Sequence, residues 1–336
     1  MEIKDLIKKA VDGVDLAREQ AREAMSSIMK GEATPSQIAC LITALRMKGE
    51  SIAEITGFAE AMRQNAIRLA PNAKNLVDTC GTGGDVSHTF NISTAAAIAA
   101  SAAGVPVAKH GNRSVSSKCG SADVLEALGI RIHLEPQRVQ ASIDELGFGF
   151  IFAQKFHPAM KFAMPSRREI GIRTVFNILG PLTNPASAPN QLLGVYSETL
   201  TAIMAAVLKE LGSRHVMVIH GLDGLDEITI SDRTRIAELK DGEIKEYFIA
   251  PEDFGIKRSG RDELVCQDLE SSKNALLKVI SGEDKGARRD VVLLNAGAAI
   301  YVGSGAADMK EGVIKAAQAI DSGGAMQKLD AIRNMM

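Results

Sequence analysis

Two polar loops of this 336-residue chain have the residue types that bind phosphate. The first, Gly81-Thr82-Gly83-Gly84-Asp85, follows the apolar residues Leu76 and Val77, and its glycines allow positive φ and bring several N–H groups close to one anion. An alanine-rich helix is predicted to begin near Ser93-Thr94, so its positive end can face the same anion. The second loop, Lys109-His110-Gly111-Asn112-Arg113, adds cations and amides. Two such loops on one strand–helix–strand unit predict a ligand with two phosphate groups.

The acidic residues Asp226 and Glu227 follow the apolar segment Val216–Ile219, which is predicted to be a strand. A hard divalent cation that bridges phosphates takes one or two carboxylates and otherwise water and substrate oxygens. Acidic residues at the carboxyl end of a strand suit that task. The surrounding Gly-Leu-Asp repeat is also typical of a solvated turn, and the residues alone leave both interpretations open.

Arg167 and Arg168 lie in the first turn of a helix predicted to run from about Ser166 to Ile178. A cation there opposes the helix dipole, at a cost of about 0.3–1 kcal/mol, so a functional reason is expected. Arginine binds planar carboxylates through two hydrogen bonds. His110 is either a general base or ligand contact, or a hydrogen-bonded structural residue, and the sequence does not decide between them.

In their order along the chain, these motifs resemble the anthranilate phosphoribosyltransferase family, which is related to the pyrimidine nucleoside phosphorylases. The resemblance covers essentially the whole chain. Besides the two loops, it rests on the motifs NIST (91–94), GSAD (120–123), PSRR (165–168), NILGPLTNP (177–185) and GLDE (224–227). Neither the P-loop pattern nor the G-x-G-x-x-G dinucleotide pattern is present.

The resemblance implies transfer of phosphoribosyl from phosphoribosyl pyrophosphate to anthranilate, with Mg2+ as the cofactor. It implies metal contacts from Asp226, Glu227 and Ser93, and a leaving pyrophosphate stabilised by Mg2+, Lys109 and loop N–H groups. Arg167 is the implied carboxylate contact, with Arg168 at the surface, and Gly81, His110 and Asn112 shape the anthranilate site. The implied diphosphoribosyl site is formed by Gly81, Gly84, Asp85, Thr89, Asn91, Ser93, Thr94, Lys109, Ser117 and Ser121. Cys119 departs from the small residue expected in that loop.

The composition excludes several other classes of protein. The formal net charge is −2 and aromatic residues make up 4% of the chain, so neither a basic surface nor base-stacking platforms for nucleic acid are indicated. The longest weakly polar run, Ala95–Ala108, is too short to cross a bilayer. Four widely spaced cysteines without a secretory signal predict a cytoplasmic protein with reduced thiols, in which Cys80 serves packing rather than nucleophilic attack.

The predicted fold class is α/β: a small all-helical domain and a larger domain with a mostly parallel central sheet flanked by helices. Residues 1–70 are predicted to be helical, joined according to the resemblance by the segment 154–190, and the α/β domain comprises 71–153 and 191–336. A hairpin is predicted around Asp241-Gly242. The predicted strands are Leu76–Cys80, Val105–Ala108, Ile130–His133, Phe150–Ala153, Leu192–Tyr196 and Val216–His220.

Two alternatives accompany this interpretation. A pyrimidine nucleoside phosphorylase would carry K-H-S-G-R where this chain has Lys-His-Gly-Asn-Arg, and it would lack the metal-binding acidic pair. A non-catalytic relative that binds nucleic acid would show a basic groove and a broken site. The family precedent is a homodimer that associates through the helical domain.

Overall fold

Four helices form the amino-terminal part of the chain in the computed structural model, which describes residues 2–84, 88–113 and 120–336. Two of them begin at the capping residues predicted from sequence: Thr34 accepts a hydrogen bond from the Gln37 N–H (3.3 Å), and Ser51 accepts one from the Glu54 N–H (3.3 Å). The four helices are α1 (Ile3–Val11), α2 (Arg18–Met29), α3 (Pro35–Lys48) and α4 (Ile52–Gln64).

The rest of the chain alternates strands and helices around one seven-stranded sheet of order β3-β2-β1-β4-β5-β6-β7. Strands β1 to β5 pair in parallel, whereas β6 and β7 are antiparallel at one edge. The carboxyl ends of the parallel strands therefore lie along one edge of the sheet, where ligands bind in such folds. The strands are β1 (Val77–Gly81), β2 (Val107–Gly111), β3 (Phe148–Phe152), β4 (Asn190–Gly194), β5 (His215–Gly221), β6 (Thr234–Lys240) and β7 (Glu243–Ile249).

Helices cover both faces of this sheet. Successive strand residues point to opposite sides, so Leu192 and Met217 join the larger core while Leu193 and Val216 join a second core shared with the amino-terminal helices. The remaining helices are α5 (Ile92–Ala102), α6 (Ser121–Ala127), α7 (Pro136–Leu146), α8 (Ala153–Phe156), α9 (Met164–Ile170), α10 (Phe176–Leu179), α11 (Leu200–Glu210), α12 (Leu269–Ile280), α13 (Ala287–Val302), α14 (Met309–Asp321) and α15 (Gly324–Met335).

The segment between β3 and β4 packs on the amino-terminal helices. The Ser166 hydroxyl donates a hydrogen bond to the Pro35 carbonyl oxygen (2.9 Å). Phe176 and Leu179 belong to the same hydrophobic cluster as Leu41 and Phe58. This segment therefore links the helical part of the molecule to the ends of the strands.

Two elements predicted from sequence are wrong. Ile130–His133 is not a strand: Ile130 and Ile132 are buried in the core as an extended connection, so their alternation reflects packing rather than strand pairing. The helix predicted to reach Ile178 ends at Ile170, because Gly171 adopts a left-handed conformation (φ 62°) that terminates it. The hairpin is confirmed, and positive φ at Asp241 (53°) and Gly242 (78°) matches its two-residue turn.

A membrane-spanning helix is not found within the described ranges, since none of the helices there combines sufficient length with sufficient apolarity.

Candidate functional site

The glycine-rich loop begins at the carboxyl end of β1 and is hydrogen-bonded to the end of β4 and to the residues that follow it. The Thr82 N–H donates to the Gly194 carbonyl oxygen (2.9 Å), and the Thr82 hydroxyl accepts from the Tyr196 N–H (3.1 Å). Gly83 and Gly84 have φ values of 63° and 81°, which favour glycine. These contacts hold the loop over the sheet edge. Asp85, also predicted to lie in this site, is outside the described residues.

Helix α5 begins next to this loop. Its capping residue is Asn91, whose side-chain oxygen accepts a hydrogen bond from the Thr94 N–H (3.1 Å). Ser93 lies in the first turn of the helix, where N–H groups and the dipole favour anions. Thr89 precedes the helix and forms an antiparallel bridge with Val265. Asn91 therefore fixes the start of α5, and the bridge at Thr89 joins the segment before it to a distant part of the chain.

Lys109 is the cation of the site, and it is almost fully buried (1% exposed) in β2. Its ammonium group donates to the Ser93 hydroxyl (3.0 Å) and to the Thr79 carbonyl oxygen. Burial lowers the pKa of Lys109, whereas the negative charges of Asp78, Glu227 and Asp226 oppose that shift. The lysine is thus held between β1 and the start of α5.

Asp78 is a buried carboxyl group in β1 that sequence reasoning missed. It accepts a hydrogen bond from the His110 N–H (3.0 Å), and burial raises its pKa to about 6. The neighbouring Cys80 thiol donates to it (3.3 Å), and burial raises the pKa of that thiol, which agrees with a packing role for Cys80 rather than a nucleophilic one. The available signal was an acidic residue inside an apolar strand.

The segment 222–231, here called the acidic loop, follows β5 and contacts the glycine-rich loop directly. The Gly83 N–H donates to the Asp226 carboxylate (2.9 Å), and a Cβ atom at Gly81 would lie 2.7 Å from the same carboxylate. A Cβ at Gly194 would lie 1.6 Å from the Asp226 carbonyl oxygen, so only glycine fits there. Asp223, in contrast, is engaged within its own loop by the Thr229 hydroxyl (2.7 Å).

The oxygen donors of this region fit a hard divalent cation. Asp226 and Glu227 provide carboxylates, and Ser93 provides a hydroxyl group near Lys109. Groups of three or more metal-ligating His, Cys, Asp or Glu residues are not found among the described residues. Mg2+ is typically held by one or two carboxylates and completes its shell with water and substrate phosphates.

His110 and Asn112 lie at the end of β2. Burial lowers the pKa of His110 to about 3, with His157 adding to the shift, so the imidazole is neutral and its Nδ1–H donates to the Gly180 carbonyl oxygen (3.2 Å). The side-chain oxygen of Asn112 accepts from the Gln154 side chain (3.2 Å), and its main-chain carbonyl oxygen accepts from the Ser121 hydroxyl (3.4 Å). Ser117 and Cys119, in the same predicted loop, are outside the described residues.

Arg167 lies in the last turn of α9, and its predicted position in the first turn is wrong. The dipole therefore does not oppose it, and the argument from helix polarity fails. Its guanidinium is half-buried, lies 5.0 Å from the centre of the Phe176 ring and contacts the Met164 sulfur, but it forms no ion pair with any of the described acidic residues. Arg168 is exposed, as expected.

Arg173 is a second residue that sequence reasoning missed. It donates a hydrogen bond to the Gly84 carbonyl oxygen and lies 4.6 Å from the centre of the Tyr196 ring. It therefore connects the segment that carries Arg167 to the glycine-rich loop. Nothing in its local sequence pointed to this contact, which spans 89 positions along the chain.

Comparisons with known proteins agree with this geometry. Residues 4–66 match the helical bundle domain of a glycosyl transferase family, and residues 73–326 match its a/b domain. The chain is 52% identical over 331 residues to an anthranilate phosphoribosyltransferase from Alkaliphilus metalliredigens, covering 97% of both chains. The crystal structure of the Thermus thermophilus anthranilate phosphoribosyltransferase superposes with a TM-score of 0.94 at 44% identity, covering 98% of this chain and 99% of that one.

A more distant relative has been solved with ligands. The Saccharomyces cerevisiae anthranilate phosphoribosyltransferase in complex with PRPP and Mg is 27% identical, with a TM-score of 0.88 and coverage of 99% and 97% of the two chains. The same yeast enzyme in complex with 4-fluoroanthranilate has a TM-score of 0.87 at 26% identity, again covering 99% and 97%.

Proposed function

Because the chain belongs to the anthranilate phosphoribosyltransferase family, we propose that it transfers the phosphoribosyl group of phosphoribosyl pyrophosphate (PRPP) to the anthranilate amine. The bond between ribose C1 and the pyrophosphate oxygen breaks, and a C1–N bond forms. The amine loses a proton, and pyrophosphate leaves. The product is N-(5-phosphoribosyl)anthranilate, an intermediate of tryptophan biosynthesis.

The buried ammonium group of Lys109 is the observation that carries this proposal most strongly. It lies between β1 and the first turn of α5, where it donates to the Thr79 carbonyl oxygen and to the Ser93 hydroxyl. The transition state of ribosyl transfer resembles an oxocarbenium ion, so the main demand is to stabilise the leaving pyrophosphate. A preorganised, buried cation and loop N–H groups meet that demand.

We propose that Asp226, Glu227 and the Ser93 hydroxyl hold Mg2+ together with the diphosphate of the substrate. When bound, Mg2+ neutralises charge on the phosphate oxygens. The Gly83 N–H keeps the Asp226 carboxylate at the edge of the glycine-rich loop, and Gly81 leaves room for it. Other groups of the diphosphoribosyl site are Gly84, Asp85, Thr89, Asn91, Thr94, Ser117 and Ser121.

We propose that Arg167 binds the anthranilate carboxylate, since its guanidinium is half-buried and forms no ion pair with the described acidic residues. Gly81, His110 and Asn112 shape the rest of this pocket. His110 is neutral at physiological pH and its Nδ1–H is directed to Gly180, so it orients the substrate. An arylamine attacks in its neutral form, and a strong base is not needed.

We further propose that residues 1–70 and 154–190 form a helical domain, and that 71–153 and 191–336 form the α/β domain. The contact between Ser166 and Pro35 supports this division. A cytoplasmic homodimer that associates through the helical domain is consistent with the exposed apolar side chains of Val11 and Met47.

The two alternatives are not favoured. The relatives described above are anthranilate phosphoribosyltransferases by name. This chain also has the acidic pair Asp226-Glu227 that a nucleoside phosphorylase would lack, and Asp226 contacts the glycine-rich loop. A relative that binds nucleic acid would show a basic surface, whereas this chain has a net charge of −2.

The proposed activity is tested by following the fluorescence of anthranilate after mixing with enzyme, PRPP and Mg2+. We expect a loss of signal that stops when Mg2+ is omitted, with pyrophosphate formed in equal amount. A parallel reaction contains a pyrimidine nucleoside and inorganic phosphate. Turnover only in that second reaction would transfer the chain to the phosphorylase branch and overturn the assignment of Arg167.

A further inference from the structure

A buried carboxamide interrupts the apolar run of α13. Residues 291–300 of this helix are all buried, and Asn295 is 0% exposed. Asparagine is a weak helix former, and burying an amide is costly unless it is fully hydrogen-bonded. A leucine of similar volume would pack in this environment without that cost. The polar group therefore needs a partner that offsets its burial.

That partner is the main chain of the acidic loop. The Asn295 side-chain oxygen accepts a hydrogen bond from the Ile228 N–H (3.0 Å), and its amide group donates to the Ile228 carbonyl oxygen (2.9 Å). A third hydrogen bond goes to the Val291 carbonyl oxygen (2.9 Å) one turn earlier in the helix. Two of the three bonds thus hold one residue, which directly follows Glu227.

These two bonds constrain the acidic pair through the geometry of the peptide group. The Ile228 N–H lies in the same planar unit as the Glu227 carbonyl, so fixing one orients the other. The side chains of Leu225, Ile228 and Ile230 are buried in the same hydrophobic cluster as the apolar residues of α13. The loop is therefore attached to helix α13 through Ile228, and the carboxylate of Asp226, two residues earlier, accepts from the Gly83 N–H on the glycine-rich loop.

We propose that Asn295 is a positioning residue for Asp226 and Glu227, and that it sets the affinity of the metal–diphosphate site from α13. The proposal rests on the proposed function, because it assumes that these two carboxylates hold the cation. Partners that orient metal ligands without touching the metal contribute about 10- to 100-fold to metal affinity.

The test uses Asn295→Leu, which keeps the side-chain volume and removes both hydrogen bonds to Ile228. The matched control is Asn190→Leu, because Asn190 is also buried but lies at the opposite end of the sheet and donates to the Leu76 carbonyl oxygen (3.4 Å). Mn2+ is titrated calorimetrically into each protein in the presence of PRPP and the absence of anthranilate, so no turnover occurs. Hydrogen exchange is measured in parallel on the 222–231 segment.

We expect the Mn2+ dissociation constant to rise about 10-fold or more in Asn295→Leu and to stay within about twofold of wild type in Asn190→Leu. Exchange at Ile228 should accelerate only in the Asn295 variant. Unchanged Mn2+ affinity in a folded Asn295→Leu protein would overturn the proposal and leave the proposed function intact. Wild-type protein that binds PRPP without any response to Mn2+ would refute the metal assignment itself, and the proposal with it.

If Asn295→Leu does not fold, Asn295→Asp replaces it in the same titration. Aspartate keeps the shape and can still accept from the Ile228 N–H, but it loses both donated bonds, to the Ile228 and Val291 carbonyl oxygens. We expect a smaller increase in the Mn2+ dissociation constant, of a few-fold, together with faster exchange at the Ile228 amide. Wild-type values for both quantities would contradict a positioning role.

Discussion

The two sides of the candidate site are built in opposite ways. On the diphosphate side, two charged groups are already hydrogen-bonded: Lys109 donates to Ser93, and Asp226 accepts from Gly83. On the anthranilate side, the contacts of the Arg167 guanidinium with the described residues are to the Met164 sulfur and the Phe176 ring, and none is an ion pair. On the proposed assignment, the protein arranges the charges for the leaving group in advance, whereas the substrate carboxylate neutralises the charge of Arg167.

The largest effect is expected on the diphosphate side of the site, from Lys109→Met. This substitution keeps most of the side-chain length and removes the cation beside Ser93. Because stabilisation of the leaving group is strongest in the transition state, kcat should fall about 10³-fold. Steady-state kinetics, with the melting temperature as a measure of folding, check this. A loss of less than tenfold in a folded variant would show that the ammonium group is structural.

The next largest effect is expected on the anthranilate side of the site, from a change in Arg167. Arg167→Ala should raise KM for anthranilate about 10- to 100-fold and leave KM for PRPP unchanged, since a hydrogen bond to a charged group contributes about 1.5–3 kcal/mol. Arg168→Ala, an exposed neighbour, is the matched control and should behave like wild type.

A substrate analogue sharpens the same prediction. Anthranilamide lacks the carboxylate, so it should bind wild type and Arg167→Ala with similar KM values. If the arginine variant discriminates against the amide as strongly as wild type does, Arg167 is not the carboxylate contact.

A smaller effect is expected from Gly194→Ala, which disturbs the diphosphate side of the site through the position of the acidic loop. The added methyl group would overlap the Asp226 carbonyl oxygen and displace the acidic loop. The Mg2+ concentration for half-maximal activity should increase about tenfold. Gly286→Ala provides the comparison, because a Cβ there lies 3.5 Å from its nearest neighbour. An equal Mg2+ requirement in both variants would show that the loop tolerates the shift.

The smallest effect concerns the pH dependence of stability on the anthranilate side. The folded pKa of His110 lies near 3, below its unfolded value of about 6.5, so its contribution to stability is present above pH 6.5 and is lost as the pH falls. Between pH 7 and pH 6 this loss is about 0.7 kcal/mol. Asp78, whose pKa is raised, acts in the opposite direction and is common to both proteins compared.

Urea unfolding of wild type and His110→Gln at the two pH values isolates this contribution. The free energy of unfolding should fall less in the variant, by about the amount given above. Identical pH dependence in the two proteins would contradict a buried neutral imidazole.

The parts of the molecule that could be predicted are those governed by local sequence. The capping residues Thr34 and Ser51, the hairpin at Asp241-Gly242 and five of the six predicted strands depend on neighbouring residues and were confirmed. The polar loops could be placed at one sheet edge because parallel strands bring their carboxyl ends together. Most of the fold and the outline of the diphosphate side were therefore accessible from sequence.

The remainder depends on contacts between distant parts of the chain. The hydrogen bond of Asn295 to Ile228 spans 67 positions, and that of Arg173 to Gly84 spans 89. Local pattern carries no signal for such pairs. The same limitation explains the false strand at Ile130–His133, where the apolar alternation of a buried connection could not be distinguished from that of a paired strand.

The close approach of Asp226 to Gly194 restricts how this enzyme can be redesigned. Residues 222–231 cannot be exchanged independently of position 194, because their main chain passes through the volume that any side chain at that position would occupy. A combinatorial library that randomises this loop, in order to change its metal preference for example, should keep Gly194 invariant. A chimera that takes the loop from another scaffold should transfer the segment around position 194 with it.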